Sequence, residues 1–227
     1  MDDMIKQDIE KYLNEVNKKL AERGKHGEIV MAGGASLTVV YNARNATHDI
    51  DALFRPSKEF REIISEIANE NDLKDDWLND GVKGFFTEKM NANLYKEYSN
   101  LSVYSIDAEG LLALKLTSAR LDSKDMRDSI TLMKCLDIKN EEQLFNIIEK
   151  YTSPNQQTAK CHYFTLEAFN QYMMQKEREK VKTGVSDEKM NMDDWKKRIT
   201  QKRESNNAGN AELPKERKNV RHHEDRK

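Results

Sequence analysis

The chain has 227 residues, 37% hydrophobic and 34% charged, with a mean hydropathy of -0.90 and a formal net charge of -2. That length allows one domain with a good core plus an extension. The near-zero net charge rules out inferring a nucleic-acid or membrane partner from charge alone. No apolar run approaches the roughly 20 residues that span a bilayer, so no membrane association is expected. From Gln175 onward 16 Lys and Arg stand against 11 Asp and Glu, so an acidic body carries a mildly basic tail. The two cysteines, Cys135 and Cys161, have no CxxC spacing and suggest neither a disulfide framework nor a zinc site. With an acidic, amphipathic start that lacks signal-peptide order, they point to a soluble protein in a reducing cytoplasm.

Taken in order, Ile5, Ile9, Leu13, Val16 and Leu20 recur at helical spacing and predict a helix from about Met4 to Arg23. Gly24 and Gly27 break it. A buried strand follows at Glu28–Ala32, then the turn Gly33-Gly34 and a short helix Ala35–Tyr41. A polar loop leads to a second strand, Asp49–Phe54, stopped by Pro56. Ser57 is expected to cap a helix reaching Asn71. Residues 75–86 are too glycine-rich for a clean helix and too aromatic for a free linker. They predict a structured loop with a helical turn, in which Trp77 serves as a packing anchor. Leu101–Ile106 alternates like a third strand, and Asp107 reads as the N-cap of an apolar helix, Ala108–Arg120. Further helices are expected at Lys124–Leu136, Glu141–Tyr151 and Tyr163–Lys182. Apolar periodicity fades after Gly184, and the remainder reads as disordered, His222-His223 included. The resulting division is a core domain over 1–153, a helical extension over 154–184 and a charged tail over 185–227.

The chemistry concentrates in residues 30–54. Asp49 and Asp51 are two apart on a strand, so both leave one face with Cα atoms roughly 6–7 Å apart. That spacing suits one Mg²⁺ or a bridged pair of ions. Gly33 and Gly34 lack a Cβ and let backbone approach a phosphate. The helix after them points free N–H groups the same way, and Ser36 adds a hydroxyl. Either feature alone is ordinary: a DxD is often a turn, and a glycine pair often a tight corner. One short helix links them here, which brings acids and glycines together.

The stretch GGASLTVVYNARNATHDIDALF resembles the nucleotidyltransferase superfamily, whose signature is a Gly-Gly or Gly-Ser turn followed by Asp-x-Asp. Its particular form looks like the bacterial branch related to AbiEii-type toxins. Asp76-Trp77-Leu78-Asn79-Asp80, Leu111-Leu112-Ala113-Leu114-Lys115-Leu116 with Arg120, and Lys124-Asp125-Met126-Arg127-Asp128 extend the resemblance from about Glu28 to Tyr151. It implies an α/β (α+β) fold: a small mixed sheet flanked by helices, then a helical region. It also implies transfer of a nucleoside monophosphate from an NTP to an acceptor such as RNA or a tRNA end. A cognate antitoxin partner is a further implication. In that scheme Gly33, Gly34, Ser36 and Arg44 hold the nucleotide, and Asp49 and Asp51 hold Mg²⁺. Lys115 neutralises phosphate charge, and Asp125 or Asp128 completes the pocket. Lys115 can instead snorkel to solvent, though the resemblance favours the pocket role, and Arg44 can equally pair with a surface acid. The third strand offers no carboxylate at Ser102, Tyr104 or Ile106, which leaves open a binding module without turnover.

Overall fold

The computed structural model describes residues 3–118 and 123–183. The short strand β1 (Met4–Ile5) leads into helix α1 (Lys6–Glu22). One stripe of α1, Ile9, Leu13, Val16 and Leu20, is wholly buried, as the 3.6-residue period requires. Asp8 accepts from the Ile5 N–H at 3.0 Å and closes the helix start. Then come β2 (Gly27–Met31), α2 (Gly33–Val39), β3 (Ala46–Thr47), β4 (Ile50–Arg55) and α3 (Ser57–Asn71). Strand β5 (Leu78–Asn79) precedes a 3-10 turn, Gly81–Phe85. Strands β6 (Ala92–Glu97) and β7 (Leu101–Ile106) follow, then helices α4 (Ala108–Ser118), α5 (Ser123–Cys135), α6 (Glu141–Tyr151) and α7 (Ala159–Thr183).

Five strands form one mixed sheet in the order β5-β4-β2-β7-β6. Strand β2 lies antiparallel to β4 and parallel to β7. β4 is parallel to β5, and β6 is antiparallel to β7. A separate two-stranded ribbon pairs Met4 with Thr47 and Ile5 with Ala46, which fastens the start of the chain to the segment ahead of β4. One apolar core fills the space between α1, α3 and the sheet residues Ile29, Met31, Ile50, Ala52, Leu101 and Val103. A second gathers Ala32, Leu37 and Ile106 with the apolar faces of α4 to α7. The fold is thus mixed α/β, a small mixed sheet flanked by helices and followed by a helical region. The described residues up to Glu177 form one compact unit, and residues 178–183 fall outside it. Arg120, Gly184, the tail over 185–227 and His222-His223 lie outside the described residues. Among the described residues no helix is long and apolar enough to cross a membrane.

Several boundaries differ from the sequence reading. Ser57 is not a cap: it occupies the first helical position after Pro56, and its hydroxyl turns back to the Phe54 carbonyl at 3.4 Å. Helix α2 begins at Gly33, so both glycines are inside its first turn rather than before it. Strand β6 was not foreseen. It is an edge strand, largely exposed, with a register shift between Leu94 and Lys96, and so lacks a buried alternating face.

Edge strand β6 is also tied to α1. The Tyr95 hydroxyl donates to Glu10 at 2.6 Å, and Lys96 approaches the same carboxylate at 3.4 Å. The Tyr95 hydrogen bond is the main force holding the Glu10 carboxyl below its ordinary value of 4.5, against the opposing effect of burial. A depressed folded-state value contributes stability at neutral pH that fades as pH falls through it. Tyr95→Phe should therefore lower the melting temperature at pH 7. That deficit should shrink as thermal melts are repeated from pH 5 down to pH 3. A deficit independent of pH would show that the bond to ionised Glu10 is not its cause.

Candidate active site

The strand–glycine–helix corner is built by two tight approaches. Gly33 has a φ of +55°, a left-handed conformation that glycine adopts at little cost. A Cβ there would also lie 2.7 Å from Asp51 Oδ2. A Cβ on Gly34 would lie 2.2 Å from Thr47 Oγ1 and 3.2 Å from Arg44 Nη1. The absent side chains therefore let an acid, a hydroxyl and a guanidinium close over the corner.

The acids come from the neighbouring strand. Asp51 is in β4, and its carbonyl accepts from the Ala32 N–H at 2.8 Å, which sets it beside the corner. Asp49, expected as the first residue of that strand, lies instead in the bend just before β4, so the two acids do not share one strand. Asn79 Nδ2 donates to Asp49 Oδ2 at 3.4 Å. β5 holds Asn79 in place, since the Ile50 N–H donates to the Trp77 carbonyl at 2.7 Å. Trp77 is buried and donates to the Ile64 carbonyl at 3.1 Å.

Four further charged groups form another part of the wall and its support. Arg44 Nε donates to Asp128 at 2.8 and 3.1 Å, and Arg44 Nη2 closes a second contact to the same carboxylate. Lys115 Nζ is 2.6 Å from Asp125 Oδ1 and 3.1 Å from Asp128 Oδ2. Asp128 is 1% exposed and Asp125 6% exposed, so both are held by their cations rather than by water. The turn carrying Arg44 is pinned by Tyr41, whose hydroxyl donates to the Ile106 carbonyl at 3.1 Å. Burial, with help from Asp107, pushes that hydroxyl up to about 12, so it remains a donor across the ordinary pH range.

These groups surround a cleft of about 460 Å³, within the roughly 300–1,000 Å³ of small-molecule sites. Of the residues singled out in the sequence, Gly33, Gly34, Arg44, Asp49, Asp51, Lys115 and Asp125 line it. Asp128 is not on the wall and supports it from behind. Ser36 is not on the wall either: it is fully buried, and its hydroxyl has no hydrogen-bond partner among the described residues. Asp107 is committed elsewhere, accepting from the Gly110 N–H at 2.7 Å as an N-cap and from the Tyr151 hydroxyl at 3.2 Å. The cleft also takes in Thr47, His48, Val82, Phe85 and Lys124, which sequence reasoning did not assign to the site. The signals available were the mixture of glycines and aromatics in residues 75–86 for Val82 and Phe85, and the motifs that contain Thr47, His48 and Lys124.

The donor set can be tested against Mg²⁺ from the residues present. Among the described residues no group of three or more His, Cys, Asp or Glu is arranged to hold a metal ion. Asp49 and Asp51 supply hard carboxylate oxygens on the cleft wall, and the missing Cβ of Gly33 leaves Asp51 its space. Two carboxylates suit Mg²⁺ when substrate phosphates and water complete the shell. The residues fit.

Fold and cleft together define a nucleotidyltransferase-like unit. Residues 7–180 match the model of a family described as a nucleotidyltransferase of unknown function (DUF6036), and the chain belongs to that family. No curated protein and no solved structure matches the chain.

Two substitutions test the architecture. Asp128→Asn removes the charge that Arg44 and Lys115 share in a buried place and should cost about 3–5 kcal/mol in urea unfolding. A loss below about 1 kcal/mol would mean that water replaces the carboxylate easily. Gly34→Ala should destabilise the chain through its collision with Thr47, and adding Thr47→Ala should recover part of the loss. Strictly additive losses in the double variant would rule out that contact as the cause.

Proposed function

We propose that this chain transfers a nucleoside monophosphate from an NTP to an acceptor hydroxyl, with Mg²⁺ bound by Asp49 and Asp51. The observation that carries this reading is the meeting of the glycine corner, both acids and Lys115 on one cleft. In the reaction the acceptor oxygen forms a bond to the α-phosphorus. The bond from that phosphorus to the bridging oxygen breaks, and pyrophosphate leaves. Gly33 and Gly34 admit the phosphate chain close to backbone. Arg44 and Lys115 offset its charge, and preorganised charge of this kind is the main source of rate in such transfers. The bound ions would supply Lewis-acid neutralisation of the phosphate oxygens. Incoming phosphate competes with Asp125 for Lys115, and the released Asp125 carboxylate takes the acceptor's proton. Placement in the AbiEii-related branch, an RNA or tRNA acceptor, a toxin role and an antitoxin partner all rest on the order of the sequence motifs.

A second reading, a nucleotide- or protein-binding module without turnover, draws on β7, which carries no carboxylate, and on the commitment of Asp107 to capping α4. One assay separates the two. The full chain is incubated with Mg²⁺, each of the four α-labelled NTPs and total RNA. Wild type should label RNA, while Asp49→Asn and Asp51→Asn should each lower transfer at least about a hundredfold. EDTA should abolish it. Nucleotide binding without transfer to any RNA or protein acceptor would favour the module, and absence of both would end the nucleotidyltransferase reading.

A further inference from the structure

The 3-10 turn Gly81–Phe85 contributes Gly81, Val82 and Phe85 to the cleft wall. Val82 and Phe86 also pack on the second apolar core, which anchors the turn. Phe85 belongs to neither core and is 50% exposed. The foot of the turn is tied to the acid side of the cleft. Asn79 Oδ1 accepts from the Gly81 N–H at 2.9 Å, while Asn79 Nδ2 reaches Asp49. A single exposed apolar side chain is ordinary. Phe85 differs because it faces a cleft lined otherwise mainly by glycines and by polar or charged groups. Among the described residues that line the cleft, it is the only purely hydrocarbon ring.

A flat aromatic face beside a phosphate-binding corner suits one part of a nucleotide. Every nucleobase has a π face that stacks on an aromatic side chain, and stacking covers apolar surface that otherwise stays in water. We propose that Phe85 is the nucleobase platform of this cleft, with Val82 beside it, while the triphosphate reaches the glycine corner and Lys115. The platform rests on the nucleotidyltransferase reading above. Gly81, Val82 and Phe85 carry no side-chain hydrogen-bonding group. This wall therefore ranks bases by ring area, purines above pyrimidines, and not by their edges.

The test measures binding by calorimetry on the full chain with Mg²⁺. The ligands are the α,β-methylene analogues of ATP and CTP, which do not transfer, and inorganic tripolyphosphate. Wild type should bind the ATP analogue more tightly than the CTP analogue. Phe85→Ala should weaken the ATP analogue about tenfold, narrow the purine margin and leave tripolyphosphate within about twofold. Phe85→Trp should restore the ATP analogue. Equal ATP-analogue binding by wild type and Phe85→Ala overturns the platform and leaves the nucleotidyltransferase reading standing. A parallel loss of ATP analogue and tripolyphosphate also overturns it, because it marks a displaced wall. Wild type binding none of the three ends the nucleotidyltransferase reading, and the platform with it.

Discussion

Arg44, Lys115, Asp125 and Asp128 reach one place from three segments: the stretch between α2 and β3, helix α4 and helix α5. Two cations and two anions balance there. Burying any of these charges alone would cost several kcal/mol. The four are therefore tolerable only as a set, and the set exists only when the segments hold their relative positions. Such a cluster adds little net stability over a well-packed apolar one. Its effect is placement: it fixes Lys115 and Arg44 on the cleft wall, and it keeps the helical region in register with the sheet.

The part of the cleft that carries Asp49 and Asp51 is held by backbone rather than by charge. Antiparallel pairing with β2 sets Asp51 beside the glycine corner, and parallel pairing with β5 steadies the bend that carries Asp49. Trp77 locks β5 to α3 through its indole N–H. The segment Asp76–Asp80 thus acts as a brace for the acids: Trp77 supplies the anchor, Leu78 the buried contact and Asn79 the contact to Asp49. Asp80 extends it outward through an exposed pair with Arg61 at 3.3 Å, a contact of small energetic weight.

Legibility in the sequence followed how local each feature is. The strand, glycine pair and second strand were readable because apolar runs and Gly-Gly act over a few residues. The same holds for α1, α3 and α6, whose buried stripes recur at helical spacing. β6 was not readable, because an edge strand with one neighbour and an exposed face leaves no alternating pattern. Nor was the two-residue ribbon of β1 and β3, which exists only through a pairing across some forty residues. In the site, Gly34 was legible as a close approach, but Thr47 as the group approaching it was not. Asp125 and Asp128 share a helix face in any helix; that one lines the cleft and the other stands behind it follows from tertiary packing alone. Ser36 was misplaced for the converse reason. Its position after the glycines suggests a phosphate contact, yet the turn of α2 carries it inward.

The charges on the cleft wall bear on why a divalent cation belongs to the proposed chemistry. Asp49, Asp51 and Asp125 line it together with Arg44, Lys115 and Lys124, so acidic and basic side chains of these types are equal in number. A triphosphate entering alone would bring several negative charges to a wall with no net positive charge, close to two carboxylates. Repulsion at such distances amounts to several kcal/mol at the effective dielectric of a protein surface. Lys115 cannot offset it freely while Asp125 and Asp128 share its charge. Metal ions held by Asp49 and Asp51 would reverse the sign of that corner. The acids would then change from a barrier to the substrate into its attachment, and phosphate could draw Lys115 from Asp125. On this account nucleotide affinity depends on the metal more steeply than on any one basic side chain.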